Sequence, residues 1–263
     1  MTNNAMTDER DLGDVSWLGT TLTVWAHPDD EAYLSGGLSA RLSERGARVA
    51  CVTATRGEAG GPDDSPTART ELAELRTAEL EQALELLGVT EHTWLDYPDG
   101  GCAEVDPVEA TTRLVEVMDR VRPDTVVTFG PEGHTGHADH RAVSRWVDQA
   151  VTRSTSSPRI LHVVVTEAQL AVDPALNDDF GVFDEGRPRV CEPEELALSL
   201  ELDADLLQRK VDALLSQPSQ TAGLIGAVGL ARFAAWISVE SFAPPVLEPT
   251  DDAVAPARVL RHS

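Results

Sequence analysis

The chain has 263 residues, a hydrophobic fraction of 41% and a formal net charge of −24. That length and apolar content suit one large α/β domain. The charge excludes a phosphate-backbone binder and argues against an anionic membrane partner, since both need a basic surface.

Met1 to Asp14 has no basic n-region and no apolar h-region, so no secretory leader is expected. No apolar run approaches the roughly 20 residues of a membrane span. Cys51, Cys102 and Cys191 are scattered without a CxxC, which suits inert thiols in a reducing cytoplasm. Lys210 is the sole lysine, a compositional bias, and the acidity favours solubility and salt tolerance.

Residues 1–18 read as a loose, polar lead-in. The first strand-like run, 20–26, ends in Ala26-His27-Pro28-Asp29-Asp30-Glu31. An imidazole and three carboxylates thus fall in five residues. Adjacent carboxylates repel, and a divalent cation removes the repulsion. A solvated Pro-Asp-Asp turn is the plainer alternative.

Alternation then continues: helix 34–45, strand 48–54, helix 68–87, strand 92–95, helix 107–121, strand 124–129, helix 139–151 and strand 160–166. Leu72, Leu75, Ala78, Leu80, Ala83 and Leu87 give the second helix its apolar spacing, and Gly88 ends it. Residues 171–200 break the rhythm and read as a surface excursion with a short hairpin. Helices are expected at 203–217 and 222–236, and 245–263 as an extended tail. Strands alternating with helices predict a Rossmann-like three-layer α/β/α fold: one domain, 19–244, with a mostly parallel sheet.

A second cluster follows the 124–129 run. Gly133-His134-Thr135-Gly136-His137-Ala138-Asp139-His140 carries three of the chain's seven histidines. Both clusters sit just past the C-terminal end of a strand, where sites assemble in open α/β sheets.

His27 and Asp30, three apart at a strand-to-helix junction, can bind one metal, with His140 as third ligand. Two His and one carboxylate with an open position is a catalytic zinc arrangement, though it suits iron(II) equally. Asp29 can then deprotonate a water. His137 can serve the oxyanion and the leaving amine, with Asp139 holding its imidazole. The constellation reads as metal-assisted amide hydrolysis.

His27-Pro28-Asp29-Asp30-Glu31, with His137-Ala138-Asp139-His140 downstream, resembles the zinc-dependent PIG-L/LmbE-like N-deacetylases. That family includes N-acetylglucosaminyl-phosphatidylinositol deacetylase and the mycothiol and bacillithiol pathway deacetylases. The similarity runs from about Thr20 to Phe242. Thr55-Arg56-Gly57-Glu58, Arg76, Glu79, Asp99-Gly100, Lys210, Ala213, Ser219 and Gln220 add supporting matches. The resemblance implies a linear-amide amidohydrolase that removes an N-acetyl group from a GlcNAc-type sugar or conjugate. It implies His27, Asp30 and His140 as zinc ligands, Asp29 as base, His137 as oxyanion stabiliser or acid, Asp139 as its partner, and Arg56 as a substrate contact.

Three positions depart from the family pattern. Ala138 replaces a common Pro, Thr135 replaces a tyrosine of mycothiol-pathway members, and Gln217 replaces a histidine. Two alternatives remain. A DHH-type metal-dependent phosphoesterase would need further Asp-rich motifs, and a non-catalytic sugar-binding relative would not need Asp29 and His137 intact. The sequence leaves open which amino sugar is used, whether the chain forms homo-oligomers, and whether His134 is more than a loop residue. Glu31 reads as a first-turn charge or a support of the ligands. His92, His162, Trp94, Trp146 and Trp236 read as packing residues.

Overall fold

The computed structural model describes residues 13–246. The expected tail and most of the lead-in lie outside the described residues. Within the lead-in, Val15 and Leu18 are buried on the core, so this part is packed rather than loose.

All five expected strands form: β1 (Thr21–Trp25), β2 (Val49–Thr53), β3 (Glu91–Trp94), β4 (Thr125–Phe129) and β5 (Arg159–Val164). Every residue of β1, β2 and β4 is buried, as expected of parallel strands covered on both faces. Two further strands, β6 (Leu198–Glu201) and β7 (Val239–Ala243), complete a seven-stranded sheet ordered β3-β2-β1-β4-β5-β7-β6 among the described residues. The first five are parallel, and β7 runs antiparallel to both its neighbours. The order reverses between β1 and β4, so their C-terminal ends open a crevice.

The crossovers are α1 (Asp30–Glu44), α2 (Pro66–Leu87), α3 (Pro107–Val121) and α4 (Ala138–Arg153). Ser65 and Asp106 cap α2 and α3 through their side chains, each with Pro in the first turn. The buried stripe of α2 is Arg76, Glu79, Leu80, Ala83, Leu84 and Leu87. The Leu72/Leu75/Ala78 part of the expected stripe is not its core face, since Leu75 and Ala78 are exposed. Cys51, Cys102 and Cys191 are free and buried, and burial pushes the Cys51 thiol up to about 12.

Two expectations need correction. The 171–200 excursion holds no hairpin of its own. Beyond α5 (Glu167–Leu170) it contains α6 (Pro174–Asp179) and then β6, which pairs with distant β7. After α7 (Ala204–Leu215), the expected 222–236 helix is two: α8 (Pro218–Val228) and α9 (Leu230–Trp236), broken at Gly229 with φ 81°.

Helix α1 is itself interrupted at Ser35 (φ −147°). The amides of Gly37 and Leu38 donate to the Glu240 carboxylate at 2.7 and 2.8 Å. Lys210 Nζ donates to the same carboxylate at 2.8 Å, and both side chains are 1% exposed. The chain's sole lysine therefore neutralises a buried charge that ties β7 to α1 and α7. Removing one partner of such a pair leaves an uncompensated charge. Lys210→Met is expected to lower unfolding free energy by about 3–5 kcal/mol in urea titrations. A loss below about 1 kcal/mol would show the pair to be dispensable.

Candidate metal centre

Strand β1 delivers His27 to the crevice, and the β4–α4 loop with the first turn of α4 delivers His134 to His140 beside it. His27 Nδ1 lies 3.2 Å from His140 Nε2 and 3.7 Å from Asp30 Oδ2. His140 Nε2 lies 3.5 Å from Asp30 Oδ1. A tetrahedral cation with bonds of about 2.1 Å separates its donors by about 3.4 Å. The three side chains thus lie at spacings that suit a shared cation, with Asp30 presenting Oδ2 to His27 and Oδ1 to His140.

The groups behind it are arranged to suit. His140 Nδ1 faces the Gly133 carbonyl at 2.9 Å, which leaves Nε2 as the lone-pair donor. Its ring stacks on Phe129 with centroids 4.1 Å apart. Burial lowers its pKa to about 4, so the imidazole is neutral and able to ligate at neutral pH. His27 Nε2 meets Asp99 Oδ1 at 3.1 Å and Asp139 Oδ2 at 3.3 Å. Burial opposes charge on His27, but bonds to Asp139 and Asp99 outweigh it and raise the pKa to about 10. His27 Nδ1 would be the atom that holds a cation, with the Nε2–H kept on the carboxylates. Two other donor groups share His27, namely His27/His137/His140 and His27/Asp99/Asp139, each with its ligand atoms within 4.8 Å of one another.

Asp29 sits beside the triangle, not in it. Its φ is 107°, a strained value for a residue other than glycine. Its amide donates to Glu31 Oε2 at 2.9 Å, and Gln217 Nε2 donates to Glu31 Oε1 at 2.7 Å. Glu31 is buried, and burial brings its pKa up to about 7. Burial and the neighbouring Asp30 and Glu31 charges raise Asp29 well above the usual carboxylate range. Glu31 therefore holds the backbone that aims Asp29. Glu31→Ala is expected to cut turnover about 10–100-fold with bound metal retained, read by kinetics and metal analysis together. Loss of the metal as well would assign Glu31 to the ligand set.

Asp139 departs from its expected partnership. Its fully buried carboxylate accepts from Gly100 N at 2.8 Å, Cys102 N at 3.0 Å and His27. Its contact with His137 is through the backbone: the Asp139 amide donates to His137 Nδ1 at 3.2 Å, capping α4. That bond places the His137 proton on Nε2, so the tautomer is fixed by the peptide.

Arg56 is also spent elsewhere. It pairs with Asp96 at 2.8 Å, donates to Thr77, and lies over Trp94. The arginine whose charge reaches Asp29 and Asp99 is Arg76, buried beneath the 55–60 loop. A methyl at Gly57 or Gly60 would collide with its guanidinium, so the loop closes over it only because both are glycine. Its place on the apolar stripe of α2 is the signal that marks it. Asp99, Gln217 and Arg76 are thus parts of the site that motif reading underweights. His134 is 9% exposed with φ 59°, and its buried Nδ1 has no partner. His27, Asp29, Asp30, His134, Thr135 and His140 line one end of a cavity of about 380 Å³.

The family model described as PIG-L, GlcNAc-PI de-N-acetylase, matches residues 22–151. A 1D-myo-inositol 2-acetamido-2-deoxy-alpha-D-glucopyranoside deacetylase of Kineococcus radiotolerans is 40% identical over 147 residues, 45% of this chain and 41% of the relative. The enzyme of the same name in Saccharomonospora viridis is 38% identical over 165 residues, 54% and 62% of the two chains. The chain thus matches about half the length of these curated relatives. A crystal structure of a deacetylase of the teicoplanin biosynthetic pathway superposes with TM-score 0.63 at 19% identity, covering 89% of this chain and all of that one. That likeness shows the fold alone. Both motifs and the triangle lie inside residues 22–151, the segment of the chain that matches the PIG-L family.

Proposed function

We propose that the chain is a metal-dependent N-deacetylase of a GlcNAc-type amino sugar or its conjugate. The observation that carries this reading is the His27/Asp30/His140 triangle with Asp29 beside it at the cavity end. Those three residues would hold the cation, zinc by donor type with iron(II) the other fit. When bound, the cation acidifies a water and polarises the acyl oxygen.

This chain's groups do the rest. Asp29 takes a proton as the water oxygen bonds to the acyl carbon, and its raised pKa strengthens it as a base. His137 Nε2–H is the donor available to the oxyanion. As the C–N bond breaks, nitrogen takes up the proton that Asp29 accepted from water, giving a carboxylate and an amine. Asp139 and Asp99 hold the His27 ring. Arg76 is the cation for a sugar's oxygen atoms, in the role expected of Arg56.

We take 19–244 as one domain, supported by the main core cluster that runs from Val15 to Phe242. Free buried cysteines support a cytoplasmic setting. No helix of the described residues is long and apolar enough to cross a membrane. The test is amine release from a panel including GlcNAc-inositol, N,N'-diacetylchitobiose and simple GlcNAc glycosides. Release from at least one by zinc-loaded protein is expected; silence across the panel refutes the sugar assignment.

A further inference from the structure

The cavity extends from the donor triangle into a chamber walled by Val163, Leu170, Phe183, Leu224, Trp236 and Ile237. Several of its polar members are engaged with one another or with the backbone, while His134 Nδ1 beside the donor triangle has no partner. Lys210 is paired with Glu240, Gln169 Nε2 donates to the Val239 carbonyl, and Trp236 Nε1 donates to Asn177 Oδ1. A sugar or cyclitol entering here would lose water hydrogen bonds with little to replace them. An apolar group would gain by entering.

Which end of the substrate enters follows from the placement of the charged groups. Asp99 meets His27 at Nε2, the opposite side of the ring from the Nδ1 that faces Asp30 and His140. Arg76 acts on Asp99, and His137 packs edge-on against His27. Among the described residues, none of Arg76, Asp99 and His137 lines the chamber. The polar groups outside the chamber are thus His137, Asp99 and Arg76, and the hydrophilic sugar on the amine is oriented toward them. The other substituent of the reacting carbon is the acyl chain, and it points into the chamber.

An acetyl group ends in one methyl. A cavity of about 380 Å³ holds on the order of a dozen non-hydrogen atoms at roughly 30 Å³ each. We infer that the acyl side of this site is built for a linear acyl group of about six to eight carbons, making the chain a deacylase of N-acylated amino sugars beyond acetyl. The inference rests on the proposed amide hydrolysis and adds its acyl specificity. The reaction is balanced as before: water and the amide give a fatty carboxylate and the free amine.

The experiment compares N-acetyl-, N-butyryl-, N-hexanoyl- and N-octanoylglucosamine, with octyl N-acetylglucosaminide as the aglycone control. With zinc-loaded protein, kcat/KM is expected to rise about fourfold per methylene from acetyl to hexanoyl. Binding to inactive Asp29→Asn protein, read by tryptophan fluorescence, should tighten in the same order. Leu224→Trp fills the chamber and should reduce the hexanoyl-to-acetyl ratio at least about tenfold. Cleavage of the acetyl compound with no gain for longer chains overturns the inference and leaves the deacetylase reading standing. A gain with the octyl aglycone alone also overturns it, by placing the aglycone in the chamber. Silence toward every compound, with no binding, removes both.

Discussion

Replacing Asp29 by asparagine is expected to slow amine release by about 10²–10⁴-fold while one metal per chain stays bound. Asparagine keeps the shape and cannot take up a proton. It also tolerates positive φ better than most residues, so the φ of 107° at this position need not relax. Asp29→Ala would confound lost chemistry with lost backbone geometry. Because the donor triangle is His27, Asp30 and His140, the metal count should not change. A variant that turns over at the wild-type rate would remove Asp29 from the chemistry. One that loses its metal would place Asp29 among the ligands.

His140→Ala is expected to weaken metal binding more than about 100-fold and to abolish turnover at limiting metal. Losing a group behind a ligand already costs 10–100-fold, and a ligand should cost more. The fold should survive. Helix α4 stays anchored by Ala142, Val143, Trp146, Val147 and Ala150, all buried. The cavity left against Phe129 should cost on the order of 2–3 kcal/mol. Equilibrium dialysis for the metal and thermal unfolding for the fold separate the two effects. Undiminished metal binding by a folded variant would contradict the triangle.

The parallel half of the sheet was legible because β1, β2 and β4 are uninterrupted apolar runs, each ending at a loop with chemistry in it. The antiparallel edge was not. In Val239-Glu240-Ser241-Phe242-Ala243 a glutamate interrupts the run. Its burial makes sense only with Lys210 and the two α1 amides, which are remote in sequence. Likewise β6 lies in an acidic stretch and forms against a partner some 40 residues later.

The closeness of His27, Asp30 and His140 was readable from two short motifs because strand ends at a reversal point converge by topology. The parts that were not readable depend on side-chain direction. Gln217 reaches Glu31 across 186 residues, and Asp139 turns from its neighbour His137 to His27 and the 100–102 loop. Spacing places a residue near a site without saying which atom faces it. Arg56 illustrates this, since Asp96 and Trp94 draw it away while Arg76 on the next helix lies under the loop.

A single catalytic cation held by His27, Asp30 and His140 is the proposed basis of the activity. The most direct test strips the protein with a chelator, restores zinc in sub-stoichiometric steps, and follows amine release against bound metal. The rate is expected to rise linearly and level off at one equivalent per chain. Full activity in the metal-free protein, or a second equivalent needed before any activity appears, would contradict it.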